Sequence, residues 1–205
     1  MIFEEKRVSP EVMFSGAAEV GDYVVVSSLR IAATKIRFNG KDIEVPEFIT
    51  PETKLYCIKK DKKNCELLFD NCLFNMPIAP FKDGKKISFS SSFLNEYLNK
   101  YFVPQFKYLT GNDDIKIKCN LLSSKEVFDE KKCLDWFKEP KHKIAMYRKY
   151  SDWWWLSDEY GDCEGDASSA DFCLVLSYGN AYYGDASNAS GYVRPRFVIG
   201  AQAKD

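Results

Sequence analysis

The 205-residue chain has one histidine, no C-x-x-C pair and no stretch approaching the roughly 18 consecutive apolar residues of a membrane-spanning helix. The N-terminus, Met1-Ile-Phe-Glu-Glu-Lys-Arg7, carries charge where a signal peptide needs an apolar core. The expectation is a chain without a signal peptide or membrane span, made in the cytoplasm and open to assembly into a virion. Seven cysteines (Cys57, Cys65, Cys72, Cys119, Cys133, Cys163 and Cys173) are an odd number without zinc-ribbon spacing, so reduced, mostly buried thiols are expected. Cys57 and Cys65 could face each other across a hairpin, which leaves one bridge open. The sole histidine, His142, sits in the Lys-rich segment 140–143 and reads as exposed rather than as a catalytic base. With no other histidine to serve a nucleophile, no enzyme is expected.

Lysine and arginine are missing from another place. Between Ser157 and Gly191 there are five Asp and two Glu and no basic residue, so this stretch carries −7. The whole chain is −1, which leaves +6 on the remainder. Such an acidic stretch repels phosphate backbones and excludes nucleic acid as its partner.

What is present is a chain of ordinary globular composition, 45% apolar and 29% charged, with a high aromatic share of 15%. It is long enough to bury one core without disulfides or metal, so residues 1–205 read as a single domain. The part up to residue 87 is β-rich. Tyr23-Val-Val-Val-Ser27 is a strand candidate, and Lys35-Ile-Arg-Phe38 and Lys41-Asp-Ile-Glu-Val45 flank Asn39-Gly40, a pair that tolerates positive φ at both turn positions. A second hairpin joins Leu55-Tyr-Cys-Ile58 to Cys65-Glu-Leu-Leu-Phe69 through the polar tract 61–64.

Two helices follow. Residues 90–102 place Phe93, Leu94, Tyr97, Leu98 and Tyr101 on one face, with Pro104 as the expected stop. Residues 123–137 open on Ser123-Ser-Lys-Glu126, a capping-box pattern, and carry Val127, Phe128, Leu134 and Phe137. Ile115-Lys-Ile-Lys-Cys119 alternates like a strand between them. From Trp153 onward helical periodicity is lost: Trp153-Trp-Trp-Leu156, Phe172-Cys-Leu-Val-Leu176 and Tyr192 to Ile199, the last broken by Pro195, read as strands. The fold class is therefore α+β with antiparallel sheets and two helices.

Four elements occur in order: Leu94-Asn-Glu-Tyr-Leu-Asn-Lys-Tyr-Phe102, Leu121-Leu-Ser-Ser-Lys-Glu-Val127, Trp154-Trp-Leu-Ser157 and Val193-Arg-Pro195, with a glycine-rich stretch before the last. This order resembles a family of bacterial and phage lectin-like domains of unknown function marked by Tyr-Leu-Asn, Leu-Leu-Ser, Trp-Trp-Leu-Arg-Ser and Gly-Val-Arg-Pro elements. The resemblance spans residues 88–199, with Ser157-Asp158 in place of Arg-Ser and an extra residue in Gly191-Tyr-Val-Arg194. It implies a C-type-lectin fold, a superfamily that also includes the variable proteins of diversity-generating retroelements and the sulfatase-modifying oxidases. The oxidases use a reactive cysteine pair near the last strand; Cys163 and Cys173 are the candidates here, in a motif that does not match.

Residues 157–191 hold six Ser, five Asp, five Gly, five Ala, four Tyr and two Asn. All six types are reachable from an asparagine codon by replacing its adenines, the signature that adenine-directed retroelement mutagenesis leaves. They are also the types used by antibody loops, where Tyr supplies rigid amphipathic area and Ser, Gly and Asn supply adaptable hydrogen bonding. The reading is a variable protein whose region 153–195 displays Asp158, Tyr160, Asp162, Asp166, Ser168, Ser169, Asp171, Tyr178, Asn180, Tyr182, Tyr183, Asp185 and Asn188 to a protein or surface-glycan ligand. Phe172, Leu174 and Leu176 alternate as core, and Trp153, Trp154, Trp155 and Arg194 are structural. The alternatives are a module of a phage tail or bacterial surface assembly and a cysteine oxidase. The sequence names neither the ligand nor the oligomeric state.

No cofactor is expected. Calcium is the one ion that Asp158, Asp162, Glu164 and Asp166 would suit, but an EF-hand register from Asp162 puts Ala167 at the glycine position and Cys173 at the bidentate Glu position. Gly179-Asn-Ala-Tyr-Tyr-Gly184 has P-loop spacing but continues into Asp185-Ala186 where Lys-Ser/Thr is needed.

Overall fold

The computed structural model describes residues 3–62, 64–80, 87–111, 115–160 and 171–200. Asp162, Cys163, Glu164, Asp166, Ser168 and Ser169 lie outside them. The chain is α+β and strand-rich. The N-terminal half supplies β1 (Lys6–Arg7), α1 (Pro10–Phe14), β2 (Asp22–Val26), β3 (Arg30–Ile31), β4 (Thr34–Phe38), β5 (Lys41–Val45), β6 (Phe48–Ile49), β7 (Thr53–Lys60), β8 (Asn64–Phe69) and β9 (Phe74–Asn75). There follow α2 (Phe93–Tyr97), a π-helical turn (Leu98–Phe102), α3 (Val103–Thr110), β10 (Ile117–Asn120) and α4 (Ser124–Phe128). The C-terminal part holds β11 (Ala145–Tyr147), β12 (Tyr150–Asp152), β13 (Trp154–Glu159), β14 (Asp171–Val175), β15 (Ala181–Asp185), β16 (Tyr192–Val193) and β17 (Arg196–Gly200).

Two sheets organise the molecule, one in the order β1-β2-β7-β8-β17-β10 and the other β15-β14-β13-β16-β9. Each mixes strands from both ends of the sequence, so the β-rich N-terminal part and the C-terminal part share both sheets. Pairing is antiparallel except for β1 with β2 and β13 with β16, which are parallel; the expectation of purely antiparallel sheets is corrected at those two places. The Asn39-Gly40 hairpin forms as expected, with φ of 46° and 79° at its two turn residues.

Side chains two apart on a strand face the same way, and the central strands use both faces. On β7, Leu55 and Cys57 enter the larger apolar cluster while Tyr56 and Ile58 enter a smaller one. On β13, Trp155 enters the first cluster and Trp154 and Leu156 the second. This explains why Trp154-Trp-Leu156 reads as a continuous apolar run: both faces of the strand are covered.

Four details depart from the sequence reading. The first helix does not stop at Pro104. The π-helical turn at 98–102 resets the ladder, so Pro104 stands in the first turn of α3, where its missing N–H is no loss, and Gly111 at φ +68° ends the helix. The second helix is one short turn. Asp129 accepts the backbone N–H groups of Lys131 (2.8 Å) and Lys132 (3.0 Å), a local turn that competes with further helix, and Asp135–Lys138 forms a separate 3-10 turn. His142 is buried, not exposed: its ring stacks on Trp136 at 3.9 Å between centroids, and Nδ1 lies 2.6 Å from the Trp136 carbonyl. The run 192–199 is two strands in two sheets, because Pro195 breaks the ladder and passes the chain from β16 to β17. Cys57, Cys65, Cys72 and Cys119 are buried, and the sulfurs of Cys57 and Cys65 approach to 3.1 Å without a bridge. Burial, with a smaller contribution from the Asp152 charge, pushes the Cys72 thiol up to about 12 despite the nearby Arg194.

A candidate ligand groove between α4 and β15

The groove begins with the way α4 is held. Ser123 and Glu126 close a reciprocal capping box: the Ser123 hydroxyl accepts the Glu126 N–H, and the Glu126 carboxylate accepts the Ser123 N–H at 2.7 Å. Burial opposes ionisation of Glu126, but the Arg196 guanidinium and the Ser123 donors outweigh it and hold the carboxyl below its ordinary value. Arg196 also bonds Glu66 at 3.0 Å, so one guanidinium ties α4 to β8 and β17.

A register irregularity in the β13–β14 pair, between Trp155 and Glu159, lifts residues 156–158 out of the ladder. They reach α4 instead. Ser157 donates its N–H to the Leu122 carbonyl at 2.8 Å, and the Asp158 carboxylate accepts the N–H of Ser124 at the head of the helix. Asp158 is thus engaged in positioning α4.

Between α4 and β15 lies an open groove of about 530 Å³, lined by Ser124, Lys125, Phe128 and Asp129 on one side, by Leu156 and Cys173 at its floor, and by Tyr160, Ala181, Tyr182 and Tyr183 on the other. Its size is that of a small-ligand or side-chain site, and its surface is mostly apolar. The far wall is a ladder of tyrosines: Tyr160 stacks on Tyr183 at 3.8 Å and 16°, and Tyr183 on Tyr182 at 5.0 Å and 15°. Tyr182 and Tyr183 keep 55% and 38% of their surface in solvent. On the opposite wall the Lys143 ammonium sits 4.9 Å above the Phe128 ring.

Apart from Asp158 and Asp171, the described residues singled out in the sequence separate into three groups. Tyr160, Tyr182 and Tyr183 come together in the groove. Tyr178, 64% exposed, and Asn180, also exposed, occupy the β14–β15 turn that Gly179 sets at φ +91°, outside the groove lining. Asp185 and Asn188 serve local turns: Asp185 accepts the N–H (2.9 Å) and hydroxyl (2.7 Å) of Ser187, and Asn188 accepts the Ser190 N–H. Asp171 is half-buried at the start of β14. Phe128, Lys125 and Asp129 were not singled out as site residues. The capping box at Ser123 located their helix, but nothing local says that Phe128 faces a tyrosine more than fifty residues away.

The scaffold lies directly behind. Trp155 is fully buried and donates its indole N–H to the Met76 carbonyl at 3.0 Å; Trp153 is half-buried and meets Trp155 edge-on. Arg194 is buried, donates to the carbonyls of Phe69 and His142 at 2.8 Å each, and lies 5.1 Å from the Trp154 ring.

Residues 107–201 match the family model of a domain of unknown function, DUF6273. No curated protein and no solved structure matches the chain. Every residue lining the groove falls inside the DUF6273-matching region, while β9, which completes the sheet that carries β15, precedes that region. Among the described residues no helix is long and apolar enough to cross a membrane.

Proposed function

We propose that the protein is a non-enzymatic ligand-binding domain of the C-type-lectin fold and that it takes its ligand in the groove between α4 and β15. The observation that carries this reading is the Tyr160–Tyr183–Tyr182 ladder. Large aromatic side chains left in solvent and already stacked present contact area that loses little side-chain entropy on binding. The fold reading is supported by the α+β arrangement with two helical segments before a tryptophan strand, and by a smaller sheet that carries the variable-looking stretch as its outermost hairpin.

The composition of 157–191 supports the narrower reading of a retroelement-diversified variable protein. A non-coding near-copy of the DNA for residues 153–195, differing mainly at adenines and beside a reverse transcriptase gene, is the expected genomic companion. Its absence removes the diversification and leaves the groove.

The groove itself is tested by screening the full chain against glycan and protein arrays, alongside a Tyr182→Ala/Tyr183→Ala variant. The expected result is capture by the native chain and loss of at least tenfold in affinity in the variant, with thermal unfolding unchanged because both side chains are exposed. Retained capture by a folded variant places the ligand elsewhere.

A further inference from the structure

The five-stranded sheet ends on β15, and the structure treats this edge differently from the others. Leu176 donates its N–H to the Asn180 carbonyl at 2.8 Å, which makes residues 176 and 180 a hydrogen-bonded pair. Pairs in an antiparallel ladder alternate. With Leu174 opposite Tyr182 and Phe172 opposite Gly184, those two pairs also point their backbone groups inward. Ala181 and Tyr183 therefore turn N–H and C=O outward, and both residues are exposed. No backbone bond from another described segment reaches them.

Natural proteins blunt such edges with lysine, proline, very short strands or a covering side chain. The other edges of the two large sheets are blunted. The six-stranded sheet ends on β1, which is only Lys6 and Arg7, and on β10, where Asn99 covers the outer groups of Cys119 by donating to its carbonyl (2.8 Å) and accepting its N–H (3.0 Å). The opposite end of the β15 sheet, β9, is two residues long, and its Asn75 side chain donates to the Ala189 carbonyl. β15, Ala181-Tyr-Tyr-Gly-Asp185, has five residues without lysine or proline, and among the described residues no side chain covers the outward backbone groups of Ala181 and Tyr183.

We propose that the ligand is an extended, basic peptide segment of another protein that adds as a strand to the free edge of β15 and places a side chain in the neighbouring groove. The proposal rests on reading the groove as a ligand site. Backbone bonding to Ala181 and Tyr183 supplies register, and alternate side chains of the added strand meet the tyrosine ladder. Charge selects the partner. The sheet bearing β15 carries Asp158, Glu159, Asp171 and Asp185 within a stretch that holds no lysine or arginine, so it attracts a basic strand. Arginine suits it best, since a guanidinium stacks on an aromatic face as readily as it meets a carboxylate. The same charge opposes a second copy of this chain, because β15-to-β15 pairing would bring the acidic β14–β15 hairpins of two copies, with Asp171 and Asp185, together.

The test uses the full chain and phage-displayed random peptides of about ten residues, followed by synthetic versions of the selected sequences. Selected peptides are expected to be basic with alternating patterning. N-methylation at every second amide is expected to weaken binding at least tenfold, and methylation at the amides between them to have little effect. Ala181→Pro removes one outward donor without touching the ladder, and it is expected to weaken the peptide tenfold while circular dichroism and unfolding temperature stay unchanged. Peptide binding that is indifferent to N-methylation, or selected peptides without basic residues, overturns the inference while the groove reading stands. So does capture of a glycan, lost in Tyr182→Ala/Tyr183→Ala, with no peptide selected. A stable dimer in sedimentation that Ala181→Pro dissolves overturns it in favour of a second copy. Capture of neither peptides nor glycans removes both readings.

Discussion

Substitution of Gly191 by alanine tests the packing behind the groove. A Cβ built at this position would lie 1.9 Å from Trp155 Nε1 and 2.2 Å from Cε2, where an ordinary heavy-atom contact is roughly 3.5 Å. Gly191 does not need a left-handed conformation, so the whole effect is one of space. The indole has nowhere to go. Its far edge already lies 3.7 Å from the position a Cβ would take on Gly184, and Leu174 fills the space beside it. Its N–H is held by Met76, whose own N–H donates to the Gly191 carbonyl at 2.8 Å. Forcing a methyl group into a packed core costs about 1–3 kcal/mol, and pulling the buried indole from its acceptor adds about 1–3 kcal/mol. Gly191→Ala should therefore destabilise by roughly 3 kcal/mol, which for a chain of this size lowers the unfolding temperature by about 6–12 °C. Near-ultraviolet circular dichroism during thermal unfolding measures both the shift and the change in tryptophan environment. Trp155→Phe removes the atoms that clash, so the double variant should lose less than the sum of the singles by at least about 1 kcal/mol. A single variant within about 2 °C of the native protein, or strictly additive losses, refutes the contact.

Arg194→Met leaves the Phe69 and His142 carbonyls without their buried donor, and a loss of roughly 3 kcal/mol in urea denaturation is expected; a loss under about 1 kcal/mol shows that the guanidinium is dispensable. Burial lowers the affinity of His142 for a proton, outweighing its contact with the Trp136 carbonyl and the charge of Glu139, so the unfolded chain protonates first. Stability is then full above the ordinary histidine value of about 6.5 and declines as pH falls toward the lower folded value. The urea midpoint should drop between about pH 7.5 and about pH 5.5, and His142→Phe should flatten that slope; an unchanged slope removes His142 as its cause. For Glu126, held below its ordinary value by Arg196 and Ser123 against the cost of burial, Glu126→Ala should cost about 1–3 kcal/mol, because it breaks the capping box and leaves Arg196 short of a partner. Hydrogen exchange at the α4 amides should rise with it, and unchanged exchange there argues against the tie.

What the sequence made legible was local. The Asn39-Gly40 turn was readable because only a few residues tolerate two consecutive positive φ values, and the capping box because its two residues satisfy each other within one turn. The length of a helix was less readable, since it depends on which of two local hydrogen-bond patterns wins. At Asp129 the side chain captured two N–H groups that the periodicity of Val127, Phe128 and Leu134 had assigned to a longer helix. At Pro104 the π-helical turn removed a stop that composition alone makes almost certain. Sheet membership was not legible at all. Tyr192-Val193 and Arg196–Gly200 have strand character in either sheet, and only the tertiary structure separates them. The tyrosine wall of the groove was marked in the sequence by composition, whereas the Phe128 wall was hidden because its place follows from long-range packing.

These constraints limit which parts of the acidic stretch are free to change. Asp158 holds the head of α4, Asp185 closes a turn on Ser187, Gly184 and Gly191 lie against Trp155 or Leu174, and Gly179 occupies a left-handed turn position. Replacement at any of them alters the shape of the groove or the fold beneath it before it alters a ligand contact. Tyr178, Asn180, Tyr182 and Tyr183 carry no such duty in core packing, since their side chains are exposed. A diversifying process acting evenly on 157–191 would therefore produce many misfolded copies, and surviving siblings should retain the fixed set while differing at the exposed one. The outward backbone groups of Ala181 and Tyr183 are indifferent to side-chain identity. An edge-pairing mode would thus persist through such variation while the tyrosine positions retune which strand is accepted.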